Sequence, residues 1–389
     1  MTNKRQVVVV GAGYAGVMAT NRILAAGRED IAVTVVNPRP DFVERIRLHQ
    51  LAAGTSTALV PLNTLVHKGA QVRIEWVDRI GDGEVELSDG STLPFDRLVY
   101  AVGSTSNTTA IPGAAEHALF VAQLHEAREL KTRLAELPDA ATVTVVGGGP
   151  TGIELAAEIA EQLPRVHVTL LAAGDLAAGV SARARRAIVR QLEKLGVEVE
   201  AGTAVTRVVD GGVVTADGRT RTSAATVVCC SFGAPQLATR SGLPTDDAGR
   251  LLVDETLTAL GRPDIVGVGD AISLPPEIGW YNRMSCQSAS PLGAHGGSTV
   301  LAGLEGTAAE PVSFGFVGTN ISLGRRSGVI QFAHLDDSPR SMIMRGASAA
   351  VVKELVCRAT LWGLRIQGRM KRQQLAMPAP RRRKDLVTA

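Results

Sequence analysis

The sequence predicts an α/β protein built on two parallel-sheet units, and three observations carry that prediction. A valine-rich strand runs into a Gly-x-Gly-x-x-Gly turn twice, 136 residues apart (147 − 11). The first copy is Val7-Val8-Val9-Val10 followed by Gly11, Gly13 and Gly16; the second is Val143-Thr144-Val145-Val146 followed by Gly147, Gly149 and Gly152. Each turn opens an Ala-rich helical stretch. Near the end of the repeat, a third apolar strand, Ile265 to Val268, runs into Gly269-Asp270.

Taken in order, the first strand (7–10) and turn lead into a helix through about Ala26, then a second strand at 31–36. Residues 37–71 read as loop and short helix. The stretch 72–95 alternates apolar and polar residues around Gly-Asp-Gly and Asp-Gly turns, which predicts a small antiparallel meander. Residues 98–103 form a buried strand ending on glycine. The pattern then restarts with a helix at 121–136, a break at Pro138 and a second strand–helix–strand unit at 142–171. A helix at 181–195, short strands at 197–200 and within 205–222, and a buried strand at 226–230 follow. A helix is expected around 286–303.

The glycines explain themselves physically. The first permits a tight strand-to-helix turn, the second lets backbone approach a pyrophosphate, and the third lets helix and strand pack closely. The exposed N–H groups and partial positive charge of the helix start then favour phosphate. A lone fingerprint is weak, but here both copies stand between a strand and a helix, the context that gives the motif meaning. Two such Rossmann-like units predict two dinucleotides facing one another. The expected organisation is one discontinuous domain (1–113 and 255–310), interrupted by a second (114–254). A C-terminal interface segment (311–373) and a basic tail (374–389), expected to be disordered, follow.

The ribose positions depart from the usual carboxylate. Asn37 ends the first unit, and its amide oxygen can still accept. Ala172 and Ala173 end the second, with Gly174 and Asp175 beyond. Arg183, Arg185 and Arg186 on the next helix read either as a solvated face or as charge for a 2′-phosphate. The nicotinamide cofactor is accordingly NADH or NADPH.

Composition narrows the classes. Hydrophobic residues make 45% of the chain and charged residues 20%, an ordinary globular balance. Aromatic content of 3% argues against a base-stacking platform, and no nucleic-acid partner is expected. From Arg345 to Ala389, 11 Lys/Arg face two acidic residues, giving +9, so the net +3 leaves −6 for the rest. The four cysteines form no Cys-x-x-Cys, and no metal site is expected. The first strand begins within six residues, without room for a signal peptide, and no 18-residue uncharged apolar run exists, so a cytoplasmic location is expected. Cys229-Cys230 reads as buried packing.

With these motifs the chain resembles the two-dinucleotide flavoprotein disulfide-reductase superfamily, and within it the type II NADH dehydrogenases and related NAD(P)H:quinone oxidoreductases. The resemblance spans about 7–330. It is carried by Gly11-Ala-Gly-Tyr-Ala-Gly16, Leu51-Ala-Ala-Gly54, Tyr100-Ala-Val-Gly103, Gly147-Gly-Gly-Pro-Thr-Gly-Ile-Glu-Leu155 and Val266-Gly-Val-Gly-Asp270. It implies FAD on the first unit and NAD(P)H on the second. The implied cofactor-binding set is Gly11, Gly13, Tyr14, Ala15, Gly16, Asn37, Ala101, Gly103, Gly147, Gly149, Pro150, Thr151, Gly152, Gly269, Asp270 and Gln287. Asp270 is implied to meet the ribityl chain, and Glu154 to lie beside nicotinamide and flavin.

Of the family's Ala-Gln-x-Ala-x-Gln quinone motif the chain keeps Gln287, whereas Pro291 replaces the second glutamine. No cysteine falls within 40–55, where the disulfide reductases carry their dithiol. Arg47 and His49 fall where the family chain passes the flavin. The implied activity is hydride transfer from NAD(P)H to flavin and then electron transfer to a quinone-like acceptor. The alternatives are a ferredoxin-type protein, a sulfur species or a biosynthetic intermediate as acceptor, or a redox-sensing flavoprotein. The stretch 347–370 reads as a helix with an apolar face and basic flanks. It can lie on a membrane surface, cover the flavin domain or form a homodimer contact.

Overall fold

The computed structural model describes residues 4–370 and 378–380. β1 (Arg5–Val10) enters the first glycine turn and α1 (Tyr14–Leu24), and β2 (Ile31–Asn37) lies parallel to β1. A short helix, α2 (Leu48–Ala52), follows. β3 (Ala70–Ile74) pairs in parallel with β2, and β4 (Arg97–Tyr100) with β1. The meander expected at 72–95 is therefore shorter. Its three antiparallel strands are Val77–Ile80, Glu84–Leu87 and Thr92–Pro94. The residues before them belong to the edge of the parallel sheet, where apolar and polar residues alternate in the sequence as in a hairpin although Gln71–Ile74 are all exposed. Two more three-residue strands, Asp41–Val43 and Leu59–Pro61, pair antiparallel within the stretch read as loop.

The second unit opens after α3 (Leu124–Ala135). β5 (Thr142–Val146) runs into α4 (Pro150–Gln162), then β6 (His167–Ala172), α5 (Ala182–Lys194), β7 (Val197–Ala201) and β8 (Ala225–Val228). The chain then returns to the first sheet through β9 (Thr258–Ala259) and β10 (Arg262–Gly267). The first sheet has the order β9-β10-β4-β1-β2-β3 and the second β7-β6-β5-β8. In each, the chain moves outward from one side of the fingerprint strand and then crosses back to add strands on its other side. That reversal leaves a crevice at the strands' carboxyl ends, where such sheets bind ligands.

α6 (Cys286–Glu305) lies against α1. The approach is close because α6 carries glycine where the two helices touch. A Cβ on Gly293 would stand 2.2 Å from the Ala15 carbonyl oxygen, and one on Gly297 would stand 2.9 Å from that of Ala19. The C-terminal segment forms a three-stranded antiparallel sheet, β11 (Gly318–Ser322), β12 (Gly328–Ala333) and β13 (Pro339–Arg345), followed by α7 (Ala347–Gln367). This segment bridges the two units. The Asn21 amide on α1 donates to the Leu364 carbonyl at 2.7 Å, while the Ser181 N–H at the cap of α5 donates to Gln331 on β12 at 3.0 Å. Of the tail expected to be disordered, all but 378–380 lies outside the described residues; there, the Ala379 N–H donates to Ser313 at 3.1 Å.

Candidate dinucleotide and redox site

Both turns are built alike. Gly11 has φ +98° and Gly147 φ +133°, backbone that favours glycine. A Cβ at Gly16 would come within 1.9 Å of the Gly11 carbonyl oxygen, and at Gly152 within 2.1 Å of that of Gly147. A Cβ at Gly13 or Gly149 would meet nothing within 4 Å. These two middle glycines cap their helices without a side-chain acceptor, so the first N–H groups of α1 and α4 face open space. Local packing thus requires the outer glycines, while the middle ones leave room for a phosphate.

Above the first turn lies a cavity of about 920 Å³. Its floor is the Gly11–Ala15 segment with Ala101, Gly103, Gly269 and Asp270. The Tyr14 hydroxyl is buried there without a hydrogen-bond partner, and burial pushes its pKa up. A buried orphan hydroxyl beside a phosphate cradle fits a large polar ligand such as FAD. Asn37 lines the cavity, but its amide oxygen already accepts from the Ala12 N–H at 3.1 Å, and its NH₂ donates to the Arg39 carbonyl at 2.7 Å. It braces the loop. The Asp270 carboxylate accepts from Ser104 Oγ at 2.9 Å and from the Ser285 N–H at 3.1 Å. Burial raises its pKa, and the neighbouring Arg45 guanidinium works against that rise.

The second unit reaches the same cavity through Pro150, Thr151 and Glu154. Glu154 is buried within a polar cluster drawn from four elements. Its Oε1 accepts from the Ser322 N–H at 2.9 Å and from Ser322 Oγ at 3.1 Å, and it forms an ion pair with Lys353 of α7. Lys353 Nζ also donates to the Asn320 carbonyl at 3.2 Å. Burial pulls the lysine down to about 8. His49 Nδ1 lies 3.8 Å from Glu154 Oε2. Burial, then the Lys353, Arg325 and Arg47 charges, lowers its pKa well below the usual value, so His49 is neutral at pH 7.

Gln287 lines the cavity, and its amide oxygen accepts from Arg283 at 3.3 Å. Arg283 in turn pairs with Asp337 at 2.5 Å and stacks 4.8 Å from the Phe316 ring centre. Arg47 does not stand beside the first cradle's cavity, where the resemblance put the flavin. Its guanidinium is held by Glu44 at 3.0 Å and by both oxygens of Glu354 at 3.0 Å, which ties the turn before α2 to α7, and it does not line the cavity. Arg45 does, donating to the Ser104 carbonyl at 2.7 Å. Both lie in one turn of 3₁₀ helix, where a two-residue step decides which arginine faces inward.

Sequence reasoning missed Arg45, Arg283, Ser322 and Lys353. The last two come from a segment more than 160 residues beyond Glu154, and nothing in their local pattern points to it. Gly147, Gly149 and Gly152 sit under the second crevice, away from the large cavity. Cys229 forms the backbone floor beneath Gly147, and burial raises its thiol pKa. The cavity is bordered instead by Cys286, pushed up to about 11 by burial, and by Cys357.

Two phosphate cradles, with parts of both units meeting in one cavity, define a protein of the two-dinucleotide class. A family model described as pyridine nucleotide-disulphide oxidoreductase matches residues 5–293, and the chain belongs to that family. A Mycobacterium tuberculosis NADH dehydrogenase-like protein (strain CDC 1551) is 32% identical, covering 90% of this chain and 92% of that protein. A type II NADH:quinone oxidoreductase of Staphylococcus aureus (strain MSSA476) is 26% identical, with 91% and 94% covered. The sulfide:quinone oxidoreductase structure from Aquifex aeolicus superposes with a TM-score of 0.78 at 18% identity, covering 94% and 92%. The Plasmodium falciparum NDH2 structure in complex with NADH gives 0.77 at 15% identity, covering 94% and 97%. These two likenesses establish the fold.

Proposed function

We propose that the chain is an FAD-dependent NAD(P)H dehydrogenase that passes electrons to a quinone. One observation carries the reading: the first cradle, Asp270 and the Glu154 end of the second unit border a single cavity. Relatives named NADH dehydrogenase-like and type II NADH:quinone oxidoreductase support it. Bound FAD would supply the hydride-accepting chemistry, as flavin cofactors do. The chain's own residues bind and orient. The N–H groups of Tyr14, Ala15 and Gly16 receive the pyrophosphate, and those of Pro150's helix receive the nicotinamide nucleotide's. Asp270 accepts from a ribityl hydroxyl, with Ser104 and Ser285 fixing its rotamer. Arg45 offsets negative charge beside Asp270 within the cavity wall.

The Glu154–Lys353 pair holds a proton at Lys353 Nζ, at a buried point where an acceptor that takes up protons can be served. Gln287, held by Arg283, faces that acceptor. Purified protein should carry a flavin absorbance that anaerobic NADH bleaches. A chain that neither contains nor takes up flavin would end the reading. Steady-state rates with quinones should exceed those with ferredoxin, sulfide and oxygen; equal rates with all four would remove the quinone.

The outer face of α7 is the part that we assign to a membrane surface. Val351, Leu355 and Trp362 are each more than half exposed, with Arg358 between them. Among the described residues no helix is long and apolar enough to cross a membrane. Co-sedimentation with anionic liposomes tests the assignment, and a chain that stays in the supernatant contradicts it.

A further inference from the structure

The end of β6 lies against the second glycine turn. Gly148, between the first two fingerprint glycines, packs directly on that strand end: a Cβ there would stand 2.7 Å from Ala172 Cβ, and the Ala177 N–H donates to the Gly148 carbonyl at 2.8 Å. The loop 172–177 is therefore folded against the phosphate cradle, where an adenosine ribose must pass. A unit that selects NADH presents a carboxylate here, which accepts from the 2′-hydroxyl and repels a 2′-phosphate. This chain presents Ala172 and Ala173.

Asp175 is the carboxylate in that loop, and it is neutralised by an ion pair with Arg185, from the first turn of α5. Glu200, on the neighbouring strand, accepts from Arg221 at 2.7 Å. Arg185 retains donor capacity: its guanidinium, about a quarter exposed, is paired with Asp175 through Nη1. Arg183 and Arg186 stand exposed on the same turn.

We infer that the second unit accepts a nicotinamide nucleotide bearing a 2′-phosphate, with Arg185 as the residue that receives it. The inference rests on the reading of Gly147–Gly152 as the nicotinamide cradle. The exchange is favourable. Asp175 is 66% exposed, so its pair with Arg185 contributes little and water readily takes the carboxylate back. A phosphate dianion offers the planar guanidinium two acceptors at once, a geometry that arginine fits and lysine does not.

The test is calorimetric titration of the flavin-loaded full chain with adenosine 2′,5′-bisphosphate and with AMP. The bisphosphate should bind about tenfold more tightly, the size of one charge-assisted contact. Arg185→Ala should erase that gap, and Asp175→Asn, which removes a competing charge, should widen it. Arg185→Lys should restore only part of it. A wild-type chain that binds AMP as tightly as the bisphosphate, or a gap that survives Arg185→Ala, would overturn the inference while leaving the nicotinamide cradle in place. Binding of neither nucleotide would overturn the cradle itself and this inference with it.

Discussion

The two glycine turns share one local design and differ in what covers them. The first lies beneath a cavity closed by α6 and α7, with a half-buried carboxylate and a buried orphan hydroxyl in its wall. The second faces a crevice whose far edge is an exposed loop and an exposed ion pair. Burial strengthens each polar contact and slows exchange with water. On the proposed function, the same turn would serve a resident cofactor in one unit and an exchanging one in the other. Cover, rather than the turn itself, makes that distinction.

The largest effect should come from the third glycines. Gly16→Ala forces a Cβ into the Gly11 carbonyl, an overpacking cost of ~3 kcal/mol against backbone that cannot move aside. The purified protein should lose flavin and melt early. Gly152→Ala meets the same obstacle at Gly147, but its damage should fall on nucleotide binding with flavin absorbance retained. If both variants lose flavin equally, the two units are not separable in the way proposed. Gly13→Ala and Gly149→Ala sharpen the contrast, because the added methyl meets no protein atom. Their melting temperatures should stay unchanged, while each weakens its own ligand by roughly 1.5–3 kcal/mol, one lost charge-assisted backbone bond.

Next in size is Asp270→Asn. It keeps the side chain's shape but removes the charge balanced against Arg45, and flavin should dissociate more readily on dialysis, with no change in nucleotide affinity at the second unit.

Lys353 gives a pH-dependent handle. Its folded pKa, about 8, lies below the ordinary value of 10.5. The folded chain therefore releases this proton before the unfolded chain does. The group's destabilising contribution is present in full below pH 8 and fades as pH rises from 8 toward 10.5. Over that same rise Glu154 loses its cationic partner. We expect a break in kcat/KM near pH 8 that Lys353→Arg abolishes, because arginine stays charged. A break that persists in the arginine variant would assign it elsewhere.

The smallest effect on turnover should follow Trp362→Ser with Val351→Ser, which removes exposed apolar surface from α7. Rates with a water-soluble acceptor should hold while liposome co-sedimentation falls. Point substitutions are the right tool here. Lys353, Cys357, Thr360, Gly363 and Leu364 form a wall of the cavity, so deletion after Gly346 would open the flavin site along with any membrane contact.

Local sequence decided the strands, the two turns and the positions of Asp270 and Gln287. Each depends on contacts within a few residues: a glycine needed at positive φ, an N–H row at a helix start, an apolar run that must be buried on both faces. The apolar–polar alternation around β3 has the period of a meander, yet Gln71–Ile74 are all exposed, and only the parallel pairing with β2 places the strand in the first sheet. Which of Arg45 and Arg47 enters the cavity, that Glu154 meets Lys353, and that Arg185 covers Asp175 were left to tertiary structure. The two ion pairs join residues 10 and 199 positions apart, the arginine choice is made within one turn, and no periodicity along a chain records which faces will meet when its sheets and helices pack.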